Sequence, residues 1–300
     1  MPQSFLPQIA RTLTALVMVV SAASVLAAEA GPEPVPEVRP GILQGYLTAE
    51  AYPDSLALLP PPPAAGSPEQ AADEAFSERL LALKGTPRYA LAARDDNLLF
   101  PAAADTFACA LGFTIAPEST PYLYQLLRRS LTDAGLATYA AKLHYERQRP
   151  FIVNGAPNCA PEAEQEMLAH DPSYPSGHTA IGWAWALILT SLVPERADEI
   201  LARGLAFGES RMVCNVHWPS DVTAGRTIGA ATVAVLRANP DFEHDFDAAG
   251  AEVAALRGGE HSASGNDPGA SASNPADVDN TCDMESRALA VDLDALPAPQ

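Results

Sequence analysis

The run from Ile181 to Val193 constrains the fold more than any other stretch. It is mostly apolar and follows directly on the turn Pro175-Ser176-Gly177. A bilayer span needs about 20 residues, so this run has the length of a buried core helix. The unpaired N–H groups at such a helix start carry partial positive charge and suit an anion, phosphate above all. Gly177 lets the backbone approach closely, Ser176 adds a hydroxyl donor, and His178 can move a proton near neutral pH. The tetrapeptide alone reads equally well as a capped helix with an incidental histidine.

The rest of the chain supplies helices to stack around that run. Ser67-Pro68-Glu69-Gln70 starts a helix with Ser at the cap and Pro at the first position, continued by Ala72 to Leu83. Further helices are expected over Pro87–Asn97, Phe100–Leu111, from Ser119-Thr120-Pro121 onward, over Asp133–Tyr145, over 194–209 leading into Gly208, and over Pro219–Leu236. Long period-2 alternation and Asn-Gly hairpins, the marks of strands, are missing. The expected fold is all-α, a single domain of stacked helices with its active site at loops and helix starts. Residues 151–174 form a polar loop with a short helix near Glu162–Ala169, and a second loop spans Ser210 to Trp218. A connection as long as 151–174 is usually functional or disordered.

The domain boundaries follow from composition. Residues 1–28 hold one charge, Arg11, then an apolar run and small residues at Ala27 and Ala28, the pattern of a cleaved signal peptide. The expected location is therefore periplasmic or secreted. Residues 29–44 read as an extended lead-in and 45–257 as the globular domain, with Pro60–Pro63 as a rigid strap lying on it. Residues 258–300 read as a low-complexity, disordered tail whose last twenty residues could form a loosely attached helix. The chain has 18 Lys and Arg against 37 Asp and Glu, a net charge of −19. That balance argues against a nucleic-acid polymer or an anionic membrane as partner. It gives extra weight to any local cluster of cations. Four cysteines, Cys109, Cys159, Cys214 and Cys282, fit an oxidising compartment and allow three full pairings.

Three stretches supply such a cluster. They are Lys142 with Arg149-Pro150, then Pro175-Ser176-Gly177-His178, then Ser210-Arg211 with His217 and Asp221. Taken singly, Lys142, Arg149 and Arg211 read as solvated or surface-paired charges, and His217 with Asp221 as a helix-start ion pair. Together they provide three cations, two histidines, a carboxylate and a helix start, a set able to hold a tetrahedral oxyanion and attack its centre.

The pattern Lys-x6-Arg-Pro, Pro-Ser-Gly-His, Ser-Arg-x5-His-x3-Asp resembles the type 2 phosphatidic acid phosphatase superfamily, which includes vanadium haloperoxidases. Flanking stretches are similar to the class A bacterial non-specific acid phosphatases. They include Tyr46-Leu47-Thr48, the Leu59–Pro63 strap, Ser130–Gly135, Arg149-Pro150-Phe151, Ser173–Thr179 and His217-Trp218. The resemblance covers roughly residues 45–250. It implies His217 as nucleophile, Asp221 as the group that orients it, and His178 as general acid and then base. Lys142, Arg149, Arg211, Ser176 and the Gly177 amide would bind the phosphoryl oxygens, a task of positioning and charge stabilisation. It implies no metal and no cofactor, small phosphate monoesters as substrates, and a homo-oligomer. If the motifs converge on one phosphate, Cys159 and Cys214 should pair, leaving Cys109 and Cys282. Two other uses of the same residues are a vanadate-dependent haloperoxidase and a non-catalytic phosphate-binding protein. The signal peptide and the flanking stretches argue against the first. An intact His217–Asp221–His178 set argues against the second.

Overall fold

The structure, a computed structural model, describes residues 31–262 and 275–297. The expected signal peptide and residues 263–274 of the tail lie outside the described residues. Residues 35–300 group as one compact unit.

The fold is all-α, with one short hairpin. Residues Glu37–Arg39 (β1) and Ile42–Leu43 (β2) pair antiparallel, and Ile42 and Leu43 are buried. The lead-in therefore contributes apolar contacts that its Pro- and Glu-rich composition hides. Short α1 (Ser55–Leu58) precedes the Pro60–Pro63 strap, which Tyr174 holds by donating its hydroxyl to the Pro60 carbonyl at 2.7 Å. Next come α2 (Pro68–Leu80), α3 (Pro87–Arg94) and α4 (Ala108–Leu111). Ser67 and Thr86 cap α2 and α3 with their side chains, and Pro occupies the first turn of each.

The Asp133–Tyr145 segment is not continuous. Helix α5 (Pro121–Leu136) ends where Thr138 Oγ1 turns back to the Gly135 carbonyl at 2.7 Å, and α6 (Tyr139–Tyr145) begins anew. The long loop after it is broken by α7 (Pro150–Asn154) and α8 (Glu162–His170).

Three helices form the centre: α9 (Gly177–Leu192), α10 (Ala197–Val213) and α11 (Pro219–Leu236). The apolar run lies in α9, where Ala180, Ala184, Trp185, Ile188 and Leu189 are buried. Trp185 satisfies its indole N–H on the Leu127 carbonyl of α5 at 3.0 Å. Glycines set the spacing. A Cβ at Gly225 would lie 2.5 Å from the Ser176 carbonyl oxygen, and one at Gly229 equally close to that of Ala180. So α11 rests directly on the backbone of α9.

Helix α10 runs through Gly208 and carries Ser210 and Arg211 in its last turn, which shortens the expected 210–218 loop to 214–218. Gly208 does not end the helix. It faces Thr179, whose Cγ2 would stand 2.9 Å from an added Cβ.

Two described stretches of the C-terminal region are helical. Helix α12 (Pro240–Ser262) passes through position 258, and α13 (Pro275–Leu289) is tied to α4 by a Cys109–Cys282 disulfide. Within α13, Glu285 pairs with Arg203 at 3.3 Å.

Candidate active site

The close contact of α9 and α11 fixes the first part of the site. The Ser176 N–H donates to the Asp221 carbonyl at 3.0 Å, which joins the start of α9 to the first turn of α11. Ser176 Oγ caps α9, accepting from the Thr179 N–H at 3.3 Å and from its hydroxyl at 2.9 Å. Its own hydroxyl proton is still available to donate. At Gly177 an added Cβ would meet nothing nearer than Thr138 Oγ1 at 3.7 Å.

His217 lies in the 214–218 link and is buried. Its Nδ1 is 3.3 Å from Asp221 Oδ2, and its Nε2 is 3.0 Å from an Arg149 guanidinium nitrogen. A guanidinium only donates, so Nε2 accepts and Nδ1 carries the proton that points at Asp221. Burial, reinforced by the charges of Arg149, Lys142, Arg211 and His178, holds the His217 imidazole neutral well below its ordinary range. Asp221 also accepts from the Trp218 N–H at 2.9 Å and from Arg147 at 2.6 Å. Burial raises the Asp221 pKa, and Arg147 is the foremost group opposing that rise.

The cations converge on His217 from three elements. Arg149, at the start of α7, donates to the Val216 carbonyl at 3.0 Å, to the Asp171 carbonyl at 2.8 Å and to the Asp171 carboxylate at 2.6 Å. Lys142 of α6 reaches the same carboxylate at 3.2 Å and also donates to the Pro172 carbonyl. Its burial, with Arg149 beside it, lowers its pKa to about 8. Arg211 of α10 has no exposed side-chain surface. Its NH1 lies 2.5 Å from Asp96 Oδ1, yet none of its three guanidinium nitrogens has an aligned hydrogen-bond acceptor. A buried donor set of this kind suits an incoming oxyanion.

His178, in the first turn of α9, places Nε2 3.0 Å from the Asp96 carbonyl oxygen. Burial, and then the Arg211 charge, push its pKa down to about 3, against the opposing pull of Asp96. The Cys159–Cys214 disulfide, as expected from convergence of the motifs, ties the α7–α8 link to the His217 loop. Phe151 adds a backbone bond to Asn215 at 3.2 Å.

The structure thus brings Lys142, Arg149, Ser176, Gly177, His178, Arg211, His217 and Asp221 to one place. Motif spacing passes over Arg147, Asp96 and Asp171. Arg147 and Asp171 border the motifs, and their charge was the available signal. Nothing local marks Asp96. Among the described residues, no group of three or more His, Cys, Asp or Glu is placed to hold a metal ion.

Residues 123–244 match the family model described as the PAP2 superfamily. The chain is 43% identical over 213 residues to a protein of Providencia stuartii named non-specific acid phosphatase, covering 71% of this chain and 86% of that one. It is 40% identical to an acid phosphatase of Zymomonas mobilis, covering 71% of this chain and 81% of the relative. It is also 40% identical to a non-specific acid phosphatase of Salmonella typhimurium, with 67% of this chain and 80% of the relative covered. The chain belongs to the class A non-specific acid phosphatases of the PAP2 superfamily. It is an acid phosphatase, a phosphoric monoester hydrolase. Among the described residues, no helix is long and apolar enough to cross a membrane.

Proposed function

We propose that the protein hydrolyses a broad range of small phosphate monoesters through a phosphohistidine on His217. The observation that carries this is the orientation of the ring. Nδ1–H is held by Asp221 and the Nε2 lone pair faces Arg149, so the nucleophilic nitrogen already points into the cations that would bind the phosphoryl oxygens. In the first step Nε2 forms a bond to phosphorus as the ester P–O bond breaks. The leaving oxygen takes a proton from His178 and departs as the alcohol. In the second step water attacks phosphorus and gives a proton to His178. The P–N bond breaks, its electron pair returns to Nε2, and inorganic phosphate leaves. An alcohol in place of water would give phosphotransfer by the same route.

Lys142, Arg149 and Arg211, with the Ser176 hydroxyl and the Gly177 amide, would carry the charge on the peripheral oxygens. Recognition centred on the phosphoryl group accounts for breadth in the alcohol. The sequence features of residues 1–28 and the two disulfides support export to the periplasm or beyond. The relatives' names favour phosphatase over haloperoxidase chemistry.

Rapid quench into denaturant with a labelled monoester tests the mechanism. Wild type is expected to trap an acid-labile phosphoenzyme, and His217→Ala to trap none and lose turnover while remaining folded. Full turnover in His217→Ala would refute it.

A further inference from the structure

The cradle contains a carboxylate that the proposed reaction does not use. Asp96 follows α3, is 5% exposed, and neither of its oxygens has an aligned hydrogen-bond donor. A buried carboxylate without donors is unfavourable unless charge compensates it. Three groups can supply that charge: Arg211 at 2.5 Å, His178, whose Nε2 is 4.0 Å from Oδ1, and more weakly Arg149. The segment is held firmly. Neighbouring Asp95 accepts from Ser210 Oγ at 2.6 Å and from Arg203 at 3.2 Å, both on α10. Asp95 and Asp96 together therefore grip the turn of α10 that presents Arg211.

The groups facing His178 divide by sign. Arg211 from α10 and Arg149 from α7 disfavour its protonation, and His217 lies in the same cluster. Asp96 favours protonation, and Glu164 of α8 faces Asp96 in turn. The Asp96 carbonyl accepts from Nε2, which fixes the proton there in the neutral ring and leaves Nδ1 to carry the transferred proton.

We propose that Asp96 is a positioning residue for proton transfer by His178. Its carbonyl sets the tautomer, and its carboxylate passes from Arg211 to the imidazolium when phosphate takes Arg211. The exchange raises the proton affinity of His178 at the moment the leaving group needs a proton. This rests on the reading of His178 as general acid.

Asp96→Asn keeps the carbonyl and shape and removes the charge. An opposite charge within about 4–6 Å shifts a pKa by roughly 1–3, so the alkaline limb of kcat against pH should move down by at least about one pH unit. For each unit, kcat on an alkyl phosphate falls about tenfold at a fixed pH on that limb. Nitrophenyl phosphate, with its good leaving group, loses less. Inorganic phosphate should inhibit the variant more tightly, because no carboxylate competes for Arg211. A merely structural role would weaken phosphate binding and slow both substrates equally, with the limb in place. An unmoved limb overturns the proposal.

His178→Ala separates this from the underlying reading. If that variant shows no dependence on leaving group, the acid role of His178 fails. If it does and Asp96→Asn matches wild type, only the role of Asp96 fails. Should Asp96→Asn not fold, imidazole NMR of the wild-type protein decides: Nε2–H in the neutral His178 ring is expected, and Nδ1–H overturns the proposal.

Discussion

Arg147 offers the sharpest test of how the nucleophile is held. Its guanidinium donates to Asp221 at 2.6 Å, Ser220 at 2.7 Å, Asp73 at 2.8 Å and Gln70 at 2.6 Å, with 8% of the side chain exposed. Arg147→Met removes the main charge that keeps buried Asp221 ionised. Loss of an opposite charge at that range raises a carboxylate pKa by roughly 1–3. The ratio of ionised to protonated Asp221 would then fall about 10- to 1,000-fold at any given pH. A protonated Asp221 no longer draws the Nδ1 proton of His217, so phosphoenzyme formation should slow, by up to that factor where Asp221 is mostly protonated. The pH dependence gives the signature. The variant should regain rate as pH rises and Asp221 ionises, over a range where wild type declines as His178 loses its proton. Its optimum therefore moves upward. Breaking the buried pairs with Asp73 and Asp221 by removing one partner should also cost about 3–5 kcal/mol of stability. Arg147→Lys restores the charge but not the four-point contact, so it should recover the pH profile more than the melting temperature. Single-turnover quench against pH, with thermal melts, measures both. A folded Arg147→Met enzyme with the wild-type rate and optimum would refute the argument.

Three further outcomes follow from the same geometry. His178 has a folded pKa near 3 and His217 one well below the ordinary 6.5. The unfolded chain therefore binds more protons between about pH 6.5 and 3, and stability falls as pH drops through that window, by up to about 1.4 kcal/mol per pH unit for each histidine. Melting curves from pH 7 to 4 should show this loss, inorganic phosphate should offset it, and a slope unchanged in His178→Asn would contradict it. Gly225→Ala places a Cβ 2.5 Å from the Ser176 carbonyl. It should lower stability by about 1–3 kcal/mol and slow turnover by displacing the start of α9, whereas an unchanged melting temperature would show that α9 and α11 can part at no cost. The Cys109–Cys282 bridge closes a loop of 173 residues, so the chain-entropy relation gives about 5 kcal/mol as its largest stabilisation. Cys282→Ser should lower the melting temperature clearly, and a null effect would mean that the bridge adds nothing to contacts such as the Glu285–Arg203 pair.

What the sequence revealed and what it hid divide along the range of the interactions. Ser67 and Pro219 announce their helices because start signals are decided within one turn. The three motifs were legible because each packs its chemistry into a few residues. Gly208 misleads for the opposite reason: it reads as a stop, but its missing side chain serves a contact with Thr179 on another helix. Arg147 meets Asp73 across 74 positions, and Asp96 meets His178 across 82, so no local pattern could pair either with its partner. The net charge of −19 gains a specific meaning from these hidden partners. Asp171 sits on Lys142 and Arg149, and Asp96 on Arg211. Every cation assigned to the phosphoryl group is thus already faced by a carboxylate in the free protein. Such carboxylates hold the cations in place without substrate and must yield some of that contact when an oxyanion enters. Substrate affinity is then a difference between two sets of ion pairs, and neutralising Asp96 or Asp171 should alter phosphate binding as surely as removing a cation does.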